Sequence, residues 1–232
     1  MSKDFPFTNY DFYAYLASGL FFLFSLDLIL SGGLVFSQQS WNFVQIALIV
    51  AMSYIAGQIL AIPSSTILEH FLMSVVFRKP LVIQTGSKAS RWHERLLGWF
   101  VGRYYEPLPA SMREKILAKA REATGKKEEE LLADPEAIFH PAFSAARNSE
   151  DTRNRLDDFR NQYGFARNIC FVGIVVLILG LWFKVLGTAA ITLLVILIVG
   201  MFLRYVKFYA AFCSDVLRAL AYAPQSDSTK TK

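Results

Sequence analysis

Cysteine is scarce. With two in 232 residues, Cys170 and Cys213, the chain cannot carry a disulfide framework or a thiolate metal cage. Cys170 opens an apolar segment and Cys213 falls in an expected helix just past the last such segment, so both are expected as free thiols on a reducing side. Histidine is scarce too, with three in the chain. His70, His93 and His140 are far apart and none falls inside an expected membrane span, which disfavours a haem held within a bundle. "HFLMS" and "WHERL" lack the HExxH pattern, and "TGSKAS" lacks the phosphate-loop spacing. No GxSxG and no acidic metal cluster occurs, so neither a cofactor nor a metal is expected, and no catalytic set is assigned. The N-terminal "MSKDFPFTNYDFY" has one lysine, no basic leader and no small-residue cleavage site, so the first apolar segment is expected to be retained. Charge is absent altogether from Gly33 to Ser40.

What is abundant is apolar residue, and it is concentrated. The chain is 54% hydrophobic with 20 phenylalanines, and the excess lies in residues 12–62 and 169–203. "FYAYLASGLFFLFSLDLILSG", Phe12 to Gly32, is long enough to cross about 30 Å of hydrocarbon. Aromatic residues gather at its start (Tyr10, Phe12, Tyr13, Tyr15), as at a membrane interface. A second span opens at Trp41 and reaches Pro63, and "SSTILEHFLMSVVF" is expected to continue it. The run from Ile169 to Leu203 amounts to about 50 Å of helix, too long for one crossing. "FKVLGT" interrupts it, which places span three near Tyr163–Phe183 and span four near Leu186–Val206.

Formal charge is +5, and seventeen of the 24 basic residues lie between Arg78 and Arg167. In a chain with membrane spans, this bias reads as retention on the cytoplasmic side, and nucleic acid is disfavoured. The expected topology puts the 33–40 loop outside and both termini inside. The fold expected is an all-α integral membrane protein: four transmembrane helices in two hairpins, with helical cytoplasmic extensions and a central, mostly helical cytoplasmic domain. The expected division is a first hairpin over 1–63, a cytoplasmic helical domain over 64–162, a second hairpin over 163–206, a cytoplasmic helix over 207–222 and a disordered tail over 223–232. Within the middle, "RKPLVIQTG" reads as a short strand or extended turn, a serine cap opens "LPASMREKILAKAREATG", Gly125 stops it, and "IFHPAF" reads as a turn.

"RNRLDDFRNQYGFARN" repeats Arg-Asn at a spacing of seven, aligning Arg153, Arg160 and Arg167 along one helix edge. Beside them Leu156, Phe159, Tyr163, Ala166 and Cys170 form an apolar stripe. The segment after span four, with Phe208, Phe212, Val216 and Ala219, is its expected partner. The arginines read either as a solvated edge ending in headgroup contacts at Arg167, or as an anion site. Asp27 is the one acid inside a span, about 7 Å from its outer end by helical rise. Gln45 and Lys184 fall at similar depth, so the three form a candidate intramembrane polar cluster: an ion pair, a hydrogen bond, or a gating group. Ser53 and Gln58 are expected to bond between helices, and the seven-spaced glycines of "GIVVLILG" to allow close helix approach. Trp92 and Trp99, with Arg95 and Arg103, have the pattern of a helix lying on the inner membrane surface.

These features favour a non-enzymatic inner-membrane protein: an oligomeric, signal-responsive effector or channel-like assembly regulated through its cytoplasmic helices. Its expected partners are the lipid bilayer, further copies of itself and a cytoplasmic protein. The alternatives are a membrane anchor or scaffold that recruits a cytoplasmic partner and, third, a lipid-modifying enzyme. In layout the chain is similar to small four-span proteins of bacterial stress and phage-defence systems, and that resemblance implies a cytoplasmic event triggering a membrane effector.

Overall fold

The computed structural model describes residues 11–86 and 91–223, and the side chains of Asp11, Tyr13 and Arg103 are not among those described. Tyr10, the "SKAS" stretch and the expected tail beyond Ala223 lie outside the described residues. Every described regular element is a helix. Four of them are long and apolar enough to cross a membrane: Ala14–Ser31, Phe43–Thr85, Glu150–Trp182 and Thr188–Tyr222.

The chain divides into two compact units, 1–78 with 160–208, and 79–159 with 209–232. The first unit contains α1 (Ala17–Ser31), preceded by a wide π-helical turn (Asp11–Leu16), and α2 (Phe43–Ser64), continued by π-helical backbone (Ser65–Val76). α1 stops because Gly32 and Gly33 take positive φ, 70° and 88°. α2 begins with a capping box: Asn42 Oδ1 accepts from the Gln45 N–H at 2.8 Å, and Gln45 Oε1 accepts from the Asn42 N–H at 2.9 Å. Pro63 sits inside α2. It has no N–H to continue the ladder, and Ser65 Oγ and Thr66 Oγ1 both donate to the Ile62 carbonyl just before the wide backbone.

α1 and α2 meet backbone to backbone. A Cβ on Gly19 would lie 1.7 Å from the Ser53 carbonyl oxygen, and one on Gly57 would lie 1.9 Å from that of Tyr15. Small residues make this approach possible and every larger one forbids it. The expected hydrogen bonds at Ser53 and Gln58 do not form. Gln58 is exposed, and the buried Ser53 hydroxyl has no partner among the described residues. The close approach is a matter of shape, so the interface leaves no room for a polar crosslink.

α8 (Glu150–Trp182) and α9 (Thr188–Tyr222) flank a short turn in which Lys184 takes φ 55°, close to the break read from "FKVLGT". In the first unit Val172 and Val176 of α8 pack with Ile29 of α1, while Cys170 and Phe171 pack with Leu68. Gly173 faces Ile198, and Gly180 faces Leu186 of the turn.

The second unit holds α3 (Pro80–Thr85), α4 (Trp92–Val101) with a 3-10 turn (Gly102–Tyr105), α5 (Ala110–Thr124), α6 (Glu128–Ala133) and α7 (Pro135–Arg147), together with the first part of α8 and the last part of α9. Three readings are corrected. "RKPLVIQTG" contains α3, because Pro80 at the first helical position has φ already set and needs no donor. "IFHPAF" is helical, with Pro141 inside α7; burial of Ile138, Ala142 and Ala146 on one face outweighs the lost backbone bond. α5 has Pro109, not Ser111, at its cap position, while Gly125 ends it as expected with φ 70°. Phe212 of α9 packs on Phe139 and Phe143 of α7, so in this unit α7 is a partner of the α9 face that was assigned to α8 alone.

Candidate functional site

A polar network lies in the apolar interior of the first unit. It begins at α8, where every residue from Ala166 to Gly173 is buried. Eight consecutive helical positions cover all faces, so α8 is surrounded at this level. Arg167 and Asn168 fall in that stretch and cannot reach water, so they must bond to protein. Arg167 Nη1 donates to Glu69 Oε2 at 2.8 Å. Its Nε and Nη2 both donate to Asn168 Oδ1 at 3.2 Å. Asn168 Nδ2 in turn donates to the Ala14 carbonyl at 2.9 Å, an oxygen that also accepts from Ser18 Oγ at 2.6 Å.

The network therefore ties α8 to two other segments, and both are π-helical: Glu69 lies in Ser65–Val76 and Ala14 in Asp11–Leu16. Wide turns of this kind cluster at functional positions. Removing the Glu69 carboxylate leaves the buried Arg167 charge without its ionic partner.

This corrects the arginine register. Arg153 and Arg160 are exposed, whereas Arg167 is buried. Seven residues fall about 20° short of two turns, so the third arginine is rotated from the first by about 40°, and the helix around it is enclosed. Arg167 is bonded inward to Glu69 and Asn168, away from the exposed edge that Arg153 and Arg160 share. Its partner, Glu69, escaped notice because "TILEHFLM" reads as a continuation of span two. The signal was present: Glu69 is the single acid between Asp27 and Glu94.

The candidate cluster of Asp27, Gln45 and Lys184 does not assemble either. The Asp27 carboxylate accepts from the Val35 N–H at 3.1 Å and the Phe36 N–H at 3.0 Å, and from the Ser31 hydroxyl. Gln45 serves the α2 cap and Lys184 is exposed in the α8–α9 turn. Asp27 lies near the end of its helix, as the depth count has it, and the helix is capped at Gly32. From the last turn a short carboxylate reaches the orphan N–H groups of the following loop more readily than a distant cation.

In the second unit, Arg155 pairs with Asp215 beside a cavity of about 440 Å³. Gln84 Nε2 donates to the carbonyls of Tyr104 at 2.9 Å and Ala210 at 2.8 Å, and the buried Oε1 has no partner among the described residues. Neither Arg155 nor Asp215 was singled out by spacing; they are 60 positions apart and meet only in the fold. Trp92, Arg95 and Trp99 are exposed on α4. Arg103 falls past its end in the 3-10 turn, because Gly102 at φ 69° breaks the helix first, and its side chain lies outside those described. Cys170 and Cys213 are buried free thiols.

No family model, no curated protein and no solved structure matches this chain.

Proposed function

We propose that this protein is a non-enzymatic, multi-pass membrane effector in which the Glu69–Arg167–Asn168 network is a latch that holds the bundle closed. One observation carries the reading: the polar tie joining three segments of an apolar bundle is anchored on α8, the helix that also supplies residues 150–159 to the second unit. A helix common to both units is a direct route by which an event in one reaches the packing of the other. The charge bias supports a cytoplasmic second unit and an inner membrane for the spans, since seventeen of 24 basic residues lie between Arg78 and Arg167 and the 33–40 loop has none. The outward apolar faces of the spans support contact with lipid and with further copies of the chain.

The test is leakage of an entrapped dye from liposomes holding the purified full-length protein. Glu69→Gln and Arg167→Gln are expected to leak faster than wild type without any trigger, and the exchange of both charges, Glu69→Arg with Arg167→Glu, to restore part of the seal. Folded single variants that leak no more than wild type overturn the latch. A pull-down that needs only residues 78–160 would then favour the anchor.

A further inference from the structure

α4 carries an exposed aromatic face. Trp92, Leu96, Trp99 and Phe100 lie on one side at helical spacing and are 76%, 50%, 77% and 56% exposed. The opposite side, Glu94, Leu97 and Val101, is buried in the second unit. The helix is therefore held rigidly by one face while its largest side chains point away from the protein. Arg95 is exposed beside them, and it borders a cavity of about 560 Å³ lined also by Glu94, Gly98, Trp99 and Arg113. The Nε of Arg113 is buried there with no hydrogen-bond partner among the described residues.

We propose that α4 lies in the headgroup layer of the bilayer, with Trp92, Leu96, Trp99 and Phe100 inserted and Arg95 beside a lipid phosphate. Tryptophan is the side chain best suited to that layer, having a large apolar ring and one N–H that stays hydrated. The flanking guanidinium is complementary to phosphate, which a second apolar protein surface would not supply. Chain length permits it: Trp92 follows Phe77, at the end of the second apolar helix, by 15 residues, so the connection spans at most about 50 Å. The proposal does not depend on the latch, because the latch variants leave α4 untouched and the readout below does not involve leakage.

Two of the four tryptophans lie on α4, so the substitutions Trp41→Phe and Trp182→Phe leave Trp92 and Trp99 as the sole indole probes. The full-length protein is placed in phosphatidylcholine–phosphatidylglycerol vesicles whose acyl chains are brominated near the headgroup. Emission is expected to fall by about twofold relative to unbrominated vesicles, with weak quenching by aqueous iodide, because an interfacial helix sinks about 5–10 Å. Adding Leu96→Glu and Arg95→Glu is expected to reverse that pattern. Quenching by iodide and not by bromine means a face in water, and quenching by neither means a face covered by protein; each overturns the proposal. If the tryptophan substitutions prevent folding, a nitroxide on Leu96→Cys, in a chain whose two own thiols are buried, gives the same answer: oxygen-accessible for lipid, accessible to a polar nickel chelate for water, shielded from both for protein.

Discussion

α8 and α9 are near equals in length, 33 and 35 residues, and each carries a window apolar enough to cross a membrane, yet 61% of α8's window is buried in the protein against 11% of α9's. Apolarity therefore says that a helix can enter lipid and nothing about what it touches there. α8 is enclosed by its neighbours and can carry Arg167 and Asn168 inward, where other segments satisfy them. α9 turns Leu193, Ile196 and Val199 outward, and its Arg204 stays exposed, bonded to Gln162 at 2.8 Å and lying over the Phe208 ring. The same residue type is a bundle tie on one helix and a surface group on the other, and the difference is the number of sides on which the helix has neighbours.

That contrast can be broken by paired substitutions. The largest effect belongs to the arginines: Arg167→Ala should cost about 2–3 kcal/mol by removing its buried charged hydrogen bonds to Glu69 and Asn168, whereas Arg204→Ala should cost about 1 kcal/mol or less. Unfolding in detergent, followed by circular dichroism, measures both, and equal costs would refute the enclosed role of α8. Next come the glycines. Gly173→Leu must displace the Ile198 side chain, which a Cβ would meet at 2.9 Å, and overpacking of this kind costs about 1–3 kcal/mol. A Cβ on Gly200 meets nothing within 4 Å, so Gly200→Leu should not destabilise and should gain up to about 1 kcal/mol from the better helix former. If it instead shifts the size measured by light scattering, a second copy of the chain packs on that face. Truncating valines gives a smaller difference: Val172→Ala removes two buried methyl groups, about 1.5 kcal/mol, while Val199→Ala on the outer face costs a few tenths of that. The smallest change concerns the link between the helices. Lys184 holds φ 55°, and Lys184→Gly should raise stability by about 0.5–1 kcal/mol, since glycine carries no left-handed penalty but is freer when unfolded. Thermal midpoints of the two proteins decide it.

How much could be read in advance depended on how local the cause was. The break between α8 and α9 was legible in "FKVLGT", because a lysine and a glycine inside an apolar run act on their own backbone. Gly125 was legible as a helix stop for the same reason. "RKPLVIQTG" reads as extended although Pro80 occupies a first helical turn, and His140–Pro141 reads as a turn because the packing of Ile138 and Ala142 that sustains the helix through the proline is not written beside it. For the candidate site, Arg167 stood out and Glu69 did not. They are 98 positions apart, and no periodicity links an acid at the end of one apolar run to a base at the start of another. Asp27 stood out as an intramembrane charge, yet its bonds go to a loop eight and nine residues on, a distance set by how that loop folds back.

The sequence by itself determined that this chain is helical, where its apolar runs lie, that four of its helices can cross a membrane and where its positive charge accumulates. Those properties follow from local backbone preference and from transfer free energy, which add residue by residue. Only the tertiary structure decided which apolar helix is enclosed and which faces outward, and hence that Arg167 turns in to Glu69 while Arg204 stays out. Burial depends on neighbours on every side, and neighbours far apart in the chain are brought together by the fold alone.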